Sequence, residues 1–143
     1  MATAEPEREA ERVADATARI GTDRYHVDLQ AGRHALAADE SADHGGADSG
    51  PAPFGLLLSG LGACTAITLR MYADRKGWPL EGVDVQLAYT VKDRATRWID
   101  RQITVRGPLE DDQRVRLAEI AEKTPVTKAV RAGTEIRTTI DRA

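Results

Sequence analysis

A single thiol is available to this chain, at Cys64. As a thiolate it could attack a peroxide, a disulfide or an acyl group, whereas packed as a neutral thiol in a core it would be inert. Burial alone disfavours the thiolate, so a reactive Cys64 requires a cation brought close to it. The alternative partners for catalysis are His26, His34 and His44. A Cys-His pair would suggest acyl transfer or thiol hydrolysis, but their spacing does not assemble one; His26 and His34 read as strand residues and His44 as a loop residue. No two histidines have metal-ligand spacing beside a carboxylate, and no glycine-rich loop follows a strand to cradle phosphate, so neither a metal nor a cofactor is expected. Trp78 and Trp98 read as anchors at element ends, with the lining of a hydrophobic pocket as their other use.

The element that must position Cys64 is the run from Phe54 to Leu69, which contains no charged residue in a chain that is 30% charged. Pro51 and Pro53 precede it, and proline is tolerated in the first turn of a helix because the N–H it lacks would be unpaired there. A helix is therefore expected from near Pro53 to about Lys76, with Gly77 as its left-handed stop and Pro79 shortly after. So apolar a segment is expected to be buried. It is shorter than the roughly 20 residues of a bilayer span and runs on into Arg70, Asp74, Arg75 and Lys76, which predicts a core helix rather than a membrane anchor. Gly55, Ser59, Gly62, Ala63 and Ala66 fall on one helical face, and Gly60 and Gly62 suggest that another backbone passes close by.

Around this helix the pattern is that of short strands. Residues 1–12 are charged and alanine-rich and are expected to be frayed or disordered, leaving 13–143 as one domain. Three strands follow, in RVADATARIG, DRYHVDLQ and RHALAAD, the last two joined at Ala31-Gly32, with Tyr25, Val27 and Leu29 on one face. Glu40 to Ala52 is a loop leading to the helix. After it, Val83, Val85, Leu87, Tyr89 and Val91 alternate without a break, and Trp98 to Arg106 forms the second strand of a hairpin. Glu110, Asp111 and Asp112 open a further helix, Thr124 caps a short one begun by Pro125 and ended at Gly133, and Thr134 to Ile140 reads as a last strand. The order βββ-α-ββ-αα-β is α+β.

At 143 residues with a net charge of -3, the chain is the size of one domain and carries no basic stripe, so nucleic acid is not an expected partner. One cysteine and the lack of a signal peptide point to the cytoplasm.

The run GPAPFGLLLSGLGACTAITLRMYADRKGWPLEGV, Gly50 to Val83, resembles the central helix of the OsmC/Ohr family, the osmotically inducible and organic-hydroperoxide-resistance proteins. GRHALAADE, Gly32 to Glu40, and RLAEIAEKTPV, Arg116 to Val126, resemble the OsmC-like branch, so that the likeness spans roughly residues 12 to 140. It implies antiparallel sheets around a long buried central helix, in an intertwined homodimer whose central helices pack together. It also implies that Cys64 is the peroxidatic thiol, oxidised by an organic hydroperoxide to a sulfenic acid. Arg24 stands at about the distance before the cysteine where the family's activating arginine lies, with Arg33 as its rival. Two departures are visible. The family's second, resolving cysteine falls at Thr124, and the glutamate near the start of the central helix falls at Phe54 or Gly55; Glu40, in the loop, is the candidate replacement for that carboxylate.

Two functions from different classes follow from this resemblance. The first is a thiol-dependent peroxidase working through Cys64 alone, with a small hydrophobic hydroperoxide as substrate and an external thiol as reductant. The second is a non-enzymatic protein of the same fold that binds an apolar ligand or senses oxidants at the dimer interface. A cysteine hydrolase is the third.

Overall fold

Alternation on both sides of a tight turn folds the N-terminal third into an antiparallel sheet, with Gly32 supplying the positive φ (57°) that the turn requires. The computed structural model of the protein describes residues 9–143, and these fall into two compact units, one ending at Pro53 and one running from Phe54 to Ala143. Of the segment expected to be frayed, residues 1–8 lie outside the described residues and 9–12 are exposed and without regular structure. The sheet of the first unit has the order β1 (Ala16–Arg19), β2 (Val27–Ala31), β3 (His34–Ala38), with Leu29 opposite both Ala18 and Leu36. It buries little: β1 is exposed along its whole length, and among the described residues of the unit only Ala38 and Asp39 are buried.

Asp39 holds the loop that follows. Its carboxylate accepts hydrogen bonds from the backbone N–H groups of Tyr25, Glu40, Ala47 and Ser49 and from the Ser49 hydroxyl, at 2.7–3.2 Å. A single turn of 3-10 helix, Ala42–His44, is folded inside this loop. The Ser49 hydroxyl first, and then the backbone donors, hold the Asp39 carboxyl far below the ordinary carboxylate range. A depressed folded-state pKa means that the stability it contributes is fully present above the unfolded value of about 3.9 and is lost as the pH falls toward the folded value. The Ala47 and Ser49 amides should therefore exchange with solvent faster below about pH 4, and Asp39→Asn should produce the same loosening at neutral pH. Equal protection in the variant would show that the loop is held by something else.

In the second unit the expected boundaries hold closely because the signals are local. Helix α1 (Pro53–Lys76) ends at Gly77, whose φ is 69°. Strands β4 (Gly82–Val91) and β5 (Arg97–Arg106) pair antiparallel as a two-stranded sheet with Val83, Val85, Leu87 and Tyr89 opposite Val105, Ile103, Arg101 and Ile99. Glu110 caps α2 (Asp111–Ala121) in a reciprocal capping box with Gln113. Thr124 caps α3 (Pro125–Ala132), its side chain accepting from the Thr127 N–H. The core lies between the C-terminal half of α1, the sheet and α2, in a cluster of Leu69, Tyr72, Ala73, Leu80, Leu117 and Ala121. Trp78 packs its edge on Tyr72 at 5.5 Å between ring centroids, the anchoring use expected of it.

Three expectations are corrected. Thr134 to Ile140 forms no strand; Ile136 and Ile140 are 87% and 94% exposed, because within one chain no sheet edge is paired with them. Burial of α1 is one-sided: Leu61, Thr65, Leu69, Tyr72 and Ala73 are buried, while Phe54, Leu57, Ile67 and Met71 are not. By length and composition alone α1 could cross a membrane, and only 17% of its most apolar window is buried. Finally, the close neighbour of Gly62 is a side chain, not a backbone: a Cβ there would meet Leu87 Cδ1 at 2.9 Å, and Gly60 faces open space.

Candidate functional site

Cys64 sits near the middle of α1, half-buried. Counting by three and four along the helix places it on one stripe with Leu57, Gly60, Ile67 and Met71. All four of those neighbours are exposed, so the thiol lies in the centre of an apolar strip that the described residues of its own unit leave open. The next residue, Thr65, points the other way and is fully buried, its hydroxyl donating to the Leu61 carbonyl at 2.7 Å.

On the Thr65 side lies a feature that the sequence reading passed over. Arg101 occupies an inward position of β5, between Ile99 and Ile103, with only 11% of its side chain exposed. Its Nη1 donates to the hydroxyls of Thr65 and Thr127, at 3.1 and 2.8 Å, and its Nη2 to the Ala121 carbonyl at 3.1 Å. Glu122 stands 3.6 Å from the same Nη2 and also pairs with Arg131. Arg131 first, then Arg101, draw the Glu122 carboxyl below its ordinary value. The signal that could have found Arg101 was available: a charge at the period-two position of an otherwise apolar inner face cannot be solvated there and must be satisfied within the protein.

Thr124 completes this network. It is fully buried, and its hydroxyl shares a 2.6 Å hydrogen bond with that of Thr127, which is held in turn by Arg101. Position 124 is thus tied to α1 through the Thr65 face, one residue round the helix from Cys64. Beside the network an open cleft of about 650 Å³ is walled by Leu61, Tyr89, Trp98 and Val130 and edged by Arg97, Arg101 and Arg131. Trp98 is 43% exposed in this cleft, so it is a lining residue and not the anchor expected of it. A second, shallower groove of about 570 Å³ runs along the small-residue face, between Gly55, Ser59, Gly62 and Ala66 of α1 and the Val83, Val85 and Leu87 side chains of β4.

The family model described as OsmC-like protein matches residues 45–139, a stretch that holds α1, the β4-β5 hairpin and both later helices. The chain belongs to the OsmC-like protein family. Its fold is shared with solved OsmC-like structures. An OsmC-like protein from Mycoplasma pneumoniae superposes with a TM-score of 0.73 at 16% identity, over 85% of this chain and 89% of that one. A putative organic hydroperoxide resistance protein from Vibrio cholerae, solved with captopril in one of its active sites, gives 0.62 at 19% identity, over 88% and 89%. The organic hydroperoxide resistance protein OhrB of Bacillus subtilis gives 0.59 at 23% identity, over 84% and 91%. No curated protein matches the chain.

Within this OsmC-like chain the remaining candidates lie in the first unit. Arg24 is on the exposed bend between β1 and β2, and Arg33 is on the exposed Gly32-Arg33 turn. Glu40 engages through its backbone, donating to Asp39 and accepting from the Asp48 N–H. His26 is turned to the Ser49 hydroxyl at 2.7 Å and to Asp28 at 3.0 Å, and His44 to Ser41 at 2.9 Å. These bonds account for two of the three histidines as surface partners of their own unit. In the second unit Phe54, which with Gly55 is where the resemblance would put the family's glutamate, packs on Tyr89 with ring centroids 4.5 Å apart. A ring there can shield the N-terminal turn of α1 but offers a guanidinium no carboxylate to pair with.

Proposed function

We propose that the protein is a one-cysteine, thiol-dependent peroxidase of organic hydroperoxides, acting as a homodimer in the cytoplasm. The observation that carries this reading is the setting of Cys64, a half-exposed thiol at the centre of the open stripe Leu57, Gly60, Ile67 and Met71 on α1. Closing that stripe with a second copy of the helix would surround the thiol with apolar side chains. Such a pocket favours an alkyl or aryl hydroperoxide over hydrogen peroxide, because the apolar tail is what it can bury. The names of the Vibrio cholerae and Bacillus subtilis relatives as organic hydroperoxide resistance proteins support the same substrate class. A second copy is a better cover than lipid, since the outward positions of the hairpin carry Asp84, Gln86, Gln102 and Arg106, which a bilayer would not accept.

In the reaction the Cys64 thiolate attacks the terminal oxygen of the hydroperoxide, the O–O bond breaks, and the alcohol leaves with a proton, giving the sulfenic acid. Two equivalents of an external thiol then return Cys64 to the thiol, releasing water and a disulfide of the reductant. Thr124 cannot contribute a sulfur, so no disulfide forms within the chain. The cation needed to favour the thiolate is, on the family resemblance, Arg24 or Arg33.

Treatment with cumene hydroperoxide should give a sulfenic acid at Cys64 that dimedone traps, seen by mass spectrometry, and Cys64→Ser should abolish peroxide consumption. Substituting Arg24 and Arg33 in turn should slow labelling for the one that acts. The second reading, ligand binding without turnover, is favoured by one observation: the most buried guanidinium of the Cys64 unit, Arg101, is engaged by Thr65, Thr127 and Ala121. An unmodified Cys64 after excess hydroperoxide would select that reading.

A further inference from the structure

We infer that the cleft between β5 and α3 binds an apolar carboxylic acid, an aryl or alkyl monocarboxylate, with its head on Arg97 and Arg131 and its tail against Trp98 and Tyr89. The inference goes beyond the thiol reading and does not depend on it, since Cys64 is not among the residues lining this cleft.

Charge is the first argument. Three guanidiniums, those of Arg97, Arg101 and Arg131, edge a space whose lining contains one carboxylate, Glu122. Glu122 is already shared between Arg101 and Arg131. Among the described residues Arg97 donates to the Arg94 carbonyl alone, at 3.0 Å, and has no carboxylate partner, so it brings its charge to the rim. A cleft lined by an excess of one sign attracts the opposite sign, and low-dielectric walls concentrate the effect. A planar carboxylate fits the guanidinium fork, which offers two parallel donors. Glu122 limits the charge of the guest: a dianion such as a phosphate monoester would meet repulsion that a monocarboxylate largely avoids.

The walls supply the second argument. Leu61, Tyr89, Ile99 and Val130 give the cleft an apolar side large enough for a ring or a short chain, in a volume of about 650 Å³. Both aromatic residues are fixed before any guest arrives. The Trp98 indole N–H donates to Asp100 at 3.0 Å, and Tyr89 packs on Phe54. Arg101 is locked by its hydroxyl and carbonyl acceptors and sets the floor without having to move. A site whose walls are already ordered binds with a smaller entropic cost.

The test uses the full-length protein and its Cys64→Ser variant, titrated with 4-phenylbutyrate and with the neutral 4-phenylbutanol, read by calorimetry and by tryptophan fluorescence. The acid should saturate and bind at least about tenfold more tightly than the alcohol, with a fluorescence change that is lost in Trp98→Phe and an affinity that falls with added salt. Arg97→Gln removes a side chain with no ion pair among the described residues and should weaken the acid about fivefold or more while leaving the alcohol unchanged. Equal affinities for acid and alcohol, no saturation by millimolar acid, or no effect of Arg97→Gln would each overturn the assignment. Because the Cys64→Ser protein has no thiol, failure here leaves the peroxidase reading untouched, and failure of sulfenic acid trapping leaves this one untouched.

Discussion

Replacing Ile67 with aspartate is expected to turn a dimer into a monomer while leaving the fold of the second unit intact. Ile67 is 53% exposed within one chain and lies away from the cluster built on Leu69, Tyr72 and Leu117, so a polar side chain at 67 removes no contact from that core. In a dimer closed over the stripe, the same carboxylate would be buried without a partner. An uncompensated charge at the centre of an interface costs on the order of 3–5 kcal/mol, which is a rise in Kd of more than a hundredfold. Sedimentation equilibrium should show the natural protein as a dimer at micromolar concentration and Ile67→Asp as a monomer of 15.5 kDa with unchanged circular dichroism. A natural protein that sediments as a monomer, or a variant that stays dimeric, would remove α1 from the interface.

The second large effect is expected from Arg101→Ala. The substitution leaves the Ala121 carbonyl with the Thr127 hydroxyl, at 3.4 Å, as its remaining side-chain donor, takes from Thr65 and Thr127 the donor that joins them, and opens a void between α1, β5 and α3. Three hydrogen bonds lost at about 0.5–1.5 kcal/mol each, together with the void, give an expected loss of about 2–4 kcal/mol in chemical denaturation. Lysine should recover little, because one ammonium cannot serve three acceptors arranged for a planar fork. Arg101→Met is the informative control. If the network is chiefly a space-filler, the methionine variant should approach natural stability; if hydrogen bonding dominates, it should resemble alanine.

The elements that could be read from the sequence were those whose limits are set locally. Pro51, Pro53 and Gly77 bound α1, unbroken alternation marks β4 and β5, and Thr124-Pro125 starts α3, because each signal acts within a turn or two of the residue that carries it. The same local alternation misled at Thr134 to Ile140. Threonine and isoleucine at every second position make a strand only when a free edge lies alongside, and the edge is not encoded in the segment that needs it. Similarly, the glycines of α1 announced close packing but not its partner: Leu87 meets Gly62, and nothing among the described residues meets Gly60. For the site, Cys64 was legible as the only thiol. Arg101 was not, since its contact with Thr65 joins residues 36 apart in sequence through tertiary packing. Trp98 was misplaced for the same reason: its strand end was predictable, but the cleft it faces is formed by α3.

The open stripe of α1 and the unpaired Thr134 to Ile140 tail also bear on how the molecule forms. Among the described residues the strands of the first unit bury little beyond Ala38, and the N-terminal half of α1 has Leu61 as its one buried residue, so the core of the second unit gathers on the far half of that helix. On the dimer reading, the remaining apolar surface is withdrawn from water only when two chains meet. Refolding should then show a fast first-order phase that assembles Leu69, Tyr72 and Leu117, followed by a second-order phase whose rate rises with protein concentration. During the interval between them the alternating tail is an unpaired strand in search of an edge, and crowding at high concentration would favour runaway edge pairing over correct closure.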